Sequence, residues 1–302
     1  MFIDKVYRKK IKVKREEVFG FALSMGPVLG FALFGLIPMI LAIFMSFMDI
    51  YGFTFEGAGF VGFENYGTVL KDPLFWKSIV NTLYMGVATF INIALALMVA
   101  FLLTKNVRGK KVFRTIYFIP YVCSVVAITV MWQWIFNTNY GIINAIFTPE
   151  GQEPVNWWGR ADTFIPCLLI MGVWSGTGYG IILYGAALTN VNSSLYEAAK
   201  VDGANSFKSF WHITIPAISP TTFYLLITGI IGALQEFARP QIISGSGGPD
   251  NVGVTVVFYL YRSAFQYYEM GIASATAWLL AILIVGLTVI NFAMSKLWVS
   301  YD

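Results

Sequence analysis

The chain has 302 residues and a formal net charge of +4, and it is 57% hydrophobic and 17% aromatic but only 12% charged. Ordinary soluble domains carry about 25% charged residues, so a free globular protein is excluded. The small positive balance is no sign of nucleic-acid binding.

The few charges are segregated. Six stretches carry none: Val18–Met48, Ser78–Thr104, Thr115–Pro149, Thr163–Tyr196, Ser209–Gln235 and Met270–Ser295. Each exceeds the roughly 20 residues an α-helix needs to cross about 30 Å of hydrocarbon. The expected fold class is all-α: a polytopic membrane protein with six transmembrane helices, at about 19–47, 78–103, 112–136, 163–188, 215–237 and 270–295. A basic tail, 1–17, precedes a membrane domain, 18–302.

Lys and Arg set the orientation, because cytoplasmic loops keep them. Fifteen fall in the tail, the second and fourth connections and the C-terminal end, against five in the alternate loops: Lys71, Lys77, Arg160, Arg239 and Arg262. Both termini are therefore expected in the cytoplasm, with the basic tail near anionic lipid. The first apolar run is about twice the length of a signal-peptide core, so it reads as a retained span.

Taken in order, span 1 contains Pro27 and Pro38, residues that kink membrane helices. A glycine- and aromatic-rich loop leads to span 2, with Asn81 and Thr82 expected in its first turn. Span 3 ends in Trp132 and Trp134, placed for an interfacial aromatic belt. Cys123 and Cys167 both fall inside spans and form neither a disulfide framework nor a metal site. Span 4 holds the run Trp174-Ser175-Gly176-Thr177-Gly178-Tyr179-Gly180. Small residues at that density permit close helix contact. Alternatively, Trp174 and Tyr179 stack on a sugar ring beside Ser175 and Gly176, although a five-residue separation does not put both on one stripe.

Between spans 4 and 5 lies a polar-bearing segment, Ser193 to Pro220. Ser194 with Glu197 three residues on fits a capping box. The helix it opens would pass through Ala198, Ala199 and Val201 and stop at Gly203, and Asn205 or Ser206 would open a second. Phe207, Phe210 and Trp211 then form one apolar face, giving paired short helices over about 194–213. Span 5 ends in Gln235-Glu236-Phe237, where Gln235 and Glu236 offer hydrogen bonds to a polar solute.

Enzyme chemistry has little to draw on. The sequence holds no GK[ST] phosphate loop, no H-E-x-x-H and no G-x-S-x-G elbow, and His212 is its one histidine. Ionisable residues deep in the spans, which a proton-coupled carrier needs, are reduced to Glu236. A stand-alone secondary transporter or channel for a small polar solute is the alternative class.

The segment Glu197 to Pro220 resembles the EAA loop of ABC importer permease subunits, through Glu197-Ala198-Ala199, Gly203 and Ile213-Thr214-Ile215-Pro216. The wording LYEAAKVDGA, with GGPDN at Gly247–Asn251 and YRSAFQYYEMGIASA at Tyr261–Ala275, is similar to the carbohydrate-uptake branch, and the likeness runs from about Asn81 to Asn291. The resemblance implies a non-enzymatic subunit of a prokaryotic plasma-membrane importer. Its implied partners are a second, non-identical permease, two cytoplasmic ATPases that bind ATP and Mg, and an external solute-binding protein delivering a carbohydrate. Glu197, Ala198, Ala199, Asp202, Gly203, Ile213 and Pro216 would couple to the ATPases, Glu197 by pairing with an arginine there.

Overall fold

The computed structural model describes residues 2–104 and 108–300, with side chains from Glu16 onward. Lys105 and the side chains of the basic residues between Lys5 and Arg15 lie outside the described residues.

Helix α1 (Phe2–Phe31) crosses the expected boundary between tail and span without a break. It continues through a π turn, Ala32–Leu36, into α2 (Ile37–Ser46). The turn follows from Pro38: lacking an N–H, proline cannot bond the carbonyl four residues back. The ladder instead widens by one residue, and the Ile37 N–H donates to the Ala32 carbonyl. The same device recurs at Phe210–Thr214, two residues before Pro216, where the Ile215 N–H donates to the Phe210 carbonyl.

A two-stranded antiparallel hairpin, β1 (Met48–Asp49) with β2 (Gly59–Phe60), and the short α3 (Glu64–Lys71) lead into α4 (Pro73–Thr104). Because α4 begins at Pro73, Asn81 lies more than two turns into the helix and not in its first turn. There its side chain donates to the Asn251 and Val254 carbonyls, both at 3.0 Å, and the Thr82 hydroxyl accepts from the Val256 N–H.

The expected third span is not one helix. Its residues form α5 (Lys110–Val122) and α6 (Val125–Ile135), bent by 98° at Cys123–Ser124. Pro120 removes the N–H that would bond the Ile116 carbonyl, and Cys123 and Ser124 turn to extended ψ values of 151° and 132°. The remaining elements are α7 (Ile142–Phe147), α8 (Ala161–Asn190), α9 (Ser193–Val201), α10 (Ser206–Ser209), α11 (Ile215–Leu234), α12 (Ala238–Ile243), α13 (Val256–Tyr261) and α14 (Met270–Ser295). Five stretches are long and apolar enough to cross a membrane, or six when the bent pair counts as one.

The bundle is built on α4, α8 and α11, whose Ala96, Ile181, Tyr184, Ile218 and Leu225 form one buried cluster. Glycines set the spacing. At Gly180 an added Cβ would sit 2.7 Å from the Ala96 Cβ, and at Gly229 it would sit 2.4 Å from the Thr89 side chain. Such approach supplies the dispersion contacts that hold helices together where lipid offers no hydrophobic drive. A second cluster, including Val69, Phe75, Val254 and Phe258, closes the end of the bundle that carries the hairpin.

Candidate functional site: a polar cleft and a two-helix joint

Within the bundle, α4, α8 and α11 separate enough to leave a cleft of about 330 Å³. Asn92 of α4, Tyr179 of α8 and Thr228 of α11 face it, and Tyr121 of α5 reaches in. Each polar group is held by a neighbour. Asn92 Oδ1 accepts from the Thr177 hydroxyl at 2.7 Å, and the Tyr179 and Tyr224 hydroxyls lie 3.0 Å apart. The Tyr121 ring stacks on Tyr179 with centroids 4.8 Å apart and 13° between planes. Gly176 leaves room for the Asn92 amide, since an added Cβ would meet Nδ2 at 2.6 Å and displace it.

At the hairpin end of the cleft, α11 stops at Leu234 and the chain turns through Gln235–Phe237 into α12. The turn places Glu236 and Arg239 against the cleft as an ion pair, with side chains only 16% and 25% exposed. Arg239 Nη2 also reaches the Ser175 hydroxyl at 3.4 Å, while its buried Nε has no protein partner. Gln133 of α6 fixes α12 by donating to the Ile242 carbonyl at 3.2 Å.

The structure thus brings Gly176, Tyr179 and Glu236 to one cleft, keeps the buried Ser175 behind its wall against Arg239, and leaves two expected pathway residues elsewhere. Trp174 faces a separate, apolar groove among α4, α5, α6 and α8, edge-to-face with Trp132 at 5.7 Å. Gln235 is the exposed C-cap of α11 and does not wall the cleft. Asn92, Tyr121 and Arg239 were not singled out by sequence. Only Arg239 left a signal there, as a cation three residues after Glu236.

A second constellation lies at the opposite ends of α8 and α11. Helix α9 opens at Asn192, whose Oδ1 accepts from the Ser194 N–H at 3.0 Å. The capping box expected at Ser194 is therefore not formed. Asn and Ser cap almost equally well, and the extended Val191 lets the helix begin two residues earlier. Glu197 is left exposed in the second turn. The helix ends as a Schellman motif around Gly203 (φ +76°), with Ala204 N–H donating to Ala199 O at 2.8 Å and Gly203 N–H to Lys200 O at 3.2 Å. Asp202 is the C-cap, and Asn205 caps α10 by accepting from the Lys208 N–H.

The joint is tied to the bundle at two points. The Tyr196 and Thr214 hydroxyls lie 2.8 Å apart, and Phe210 packs against Phe101 of α4 at 5.1 Å. Ile213 and Pro216 are half-buried in this anchor. Phe207, Phe210 and Trp211 do share one apolar face, with Trp211 edge-to-face against both rings, but Phe207 and Trp211 stay 70% and 52% exposed. Ala198 is exposed beside them, and Val201 is 88% exposed.

Comparison with known proteins agrees in kind. A family model described as "Binding-protein-dependent transport system inner membrane component" matches residues 92–298. The chain is 32% identical over 300 residues to the probable ABC transporter permease protein YesP of Bacillus subtilis (strain 168), covering 98% of this chain and 96% of that protein. It is 34% identical over 271 residues to the arabinooligosaccharides transport system permease protein AraP of the same organism, covering 89% and 85%. In fold it is similar to a chain of a solved bacterial alginate ABC transporter in complex with alginate pentasaccharide-bound periplasmic protein. That match has a TM-score of 0.81 at 23% identity, over 94% of this chain and 96% of that one.

Proposed function

Since the chain belongs to the family of binding-protein-dependent transport system inner membrane components, we propose that it is the permease subunit of an ATP-driven importer for a sugar, oligosaccharide or sugar derivative. The observation that carries this reading is a connection. The α9–Gly203–α10 joint links the end of α8 directly to the start of α11, and those two helices wall the polar cleft. A force on the joint therefore acts on the cleft walls. Relatives named for arabinooligosaccharide and lactose transport support a carbohydrate cargo.

In this proposal both termini and the joint face the cytoplasm of a prokaryotic cell, as the distribution of Lys and Arg favours. Glu197, Ala198, Ala199, Asp202 and Gly203 meet an ATPase subunit, while Ile213 and Pro216 seat the joint on the bundle. The small, exposed Ala198 allows close approach, and Glu197, free of a capping duty, is available to a basic residue of the partner. Two ATPases bind ATP and Mg and do the hydrolysis. A second, non-identical permease completes the pathway, and an external binding protein delivers the sugar. Gly176, Tyr179 and Glu236 line this chain's share of it, and Ser175 supports Arg239 from behind the wall.

Purification in mild detergent tests the class: an ATPase and a second polytopic chain are expected to copurify. The contrary result is a purified chain that alone catalyses gradient-driven uptake into vesicles, the mark of a stand-alone secondary transporter.

A further inference from the structure

We infer that the cleft selects for uncharged sugars, and that Glu236 is the residue that turns anionic ones away. The inference rests on the reading of the cleft as a sugar pathway and specifies the charge of what passes through it.

The charge balance of the walls is the starting point. The residues that α4 and α8 contribute carry no formal charge, nor do those of α11 or Tyr121 of α5. Glu236 and Arg239 supply the charge, one of each sign, and they are spent on each other. The guanidinium is further occupied by the Ser175 hydroxyl, and its Nε is buried. An anionic sugar entering here finds no free cation. It meets instead a pair of no net charge, in which Glu236 already holds the guanidinium that would otherwise attract it.

A neutral sugar meets no such obstacle. Asn92, Thr228 and the Tyr179–Tyr224 pair offer both donors and acceptors to hydroxyl groups, and the Tyr121–Tyr179 stack offers an aromatic edge beside them. Withholding a free countercharge, combined with acceptance by uncharged hydrogen bonds, builds specificity against anions, which would lose water here without a matched cation. The carboxylate can accept from a sugar hydroxyl while still paired, because it has room for more than one donor.

The test uses cells whose own copy of this chain is replaced by each variant, so that the natural partners and binding protein stay in place. Uptake is measured for labelled neutral oligosaccharides of two to five units and for their uronate counterparts. Wild-type cells are expected to take up a neutral sugar in preference to its uronate. Glu236→Gln leaves Arg239 uncompensated and is expected to raise the uronate-to-neutral ratio on the order of tenfold. Thr228→Lys adds a cation to the same wall at an exposed position without touching the pair, and the ratio is expected to move in the same direction. Both ratios unchanged at normal membrane levels of the variants would overturn the inference, as would a wild type that prefers the uronate. If no sugar uptake depends on this chain, the sugar-importer reading itself falls.

Discussion

At Gly178 an added Cβ would lie 2.0 Å from the Tyr117 carbonyl oxygen and 3.0 Å from the Phe118 Cα. Both are backbone, which cannot rotate away as a side chain can. Gly178→Ala is therefore expected to push α5 off α8, at a cost of about 1–3 kcal/mol or more for overpacking. Gly172, two turns earlier, has nothing nearer than 3.9 Å to an added Cβ. Thermal melts in detergent should show a lowered Tm for Gly178→Ala and an unchanged one for Gly172→Ala; equal melts would remove the close contact from the account. Residue by residue, this is where sequence runs out. The run from Trp174 to Gly180 could be read as close packing or as a pathway, and its positions divide between a helix contact and the wall of a cleft. Gly178 packs against α5, while Gly176, Tyr179 and Gly180 face the cleft, because successive helix positions are rotated by about 100°. Composition cannot say where that rotation points. Arg239 was hidden for another reason: in a linear count it serves as a topology marker, and its partner emerges only when Gln235–Phe237 turn the chain.

Whole elements were more legible, where a local rule governs them. Met270–Ser295 is bounded by the same residues in sequence and structure, because charge marks both ends. The break in the third apolar run was illegible, since Thr115–Ile135 is uncharged across it and hydropathy carries no direction. Gly203 is the clearest local rule. Its φ of +76° costs an L-residue about 1–2 kcal/mol, and since nothing lies within 4 Å of an added Cβ the cost of Gly203→Ala is conformational alone. Gly203→Pro is harsher, because the ring fixes φ near −65° and removes the N–H that donates to Lys200. The expected outcome is a chain that still inserts at wild-type level but transports nothing; full uptake would sink the joint as the transmission element. Asn81 belongs to the same scale. Its amide ties α4 to the 251–254 loop through two carbonyls; Asn81→Ala removes the side-chain donor from the Val254 carbonyl, at about 1–3 kcal/mol, and leaves the Asn251 carbonyl with the Val254 N–H alone. Faster proteolysis within residues 245–255, with the rest of the chain still protected, is the expected sign.

The molecule as a whole is unfinished in a way that points outward. The stretch Glu16–Ser46 has none of its most apolar window buried, and α2 packs chiefly along α14. At the other extreme, Leu195, Val201, Phe207 and Trp211 expose apolar surface on two helices too short to be stable without support. A surface of this kind on an anchored joint is suited to a protein partner, which the proposed function supplies as an ATPase. Val201 separates the two roles. With its side chain 88% exposed, Val201→Glu costs this chain's own packing little. Against a docked partner, however, the same carboxylate must be stripped of water without a matched cation, which costs several kcal/mol. The variant is expected to insert and melt as wild type does, yet to lose the copurifying ATPase and, with it, substrate-stimulated ATP hydrolysis. Glu197→Ala, which removes an attraction without adding a repulsion, should lower that hydrolysis and leave the complex assembled. A Val201→Glu complex that keeps its ATPase at wild-type stoichiometry would move the docking surface off this joint. The exposed apolar side chains of α9 and α10 would then need a different cover.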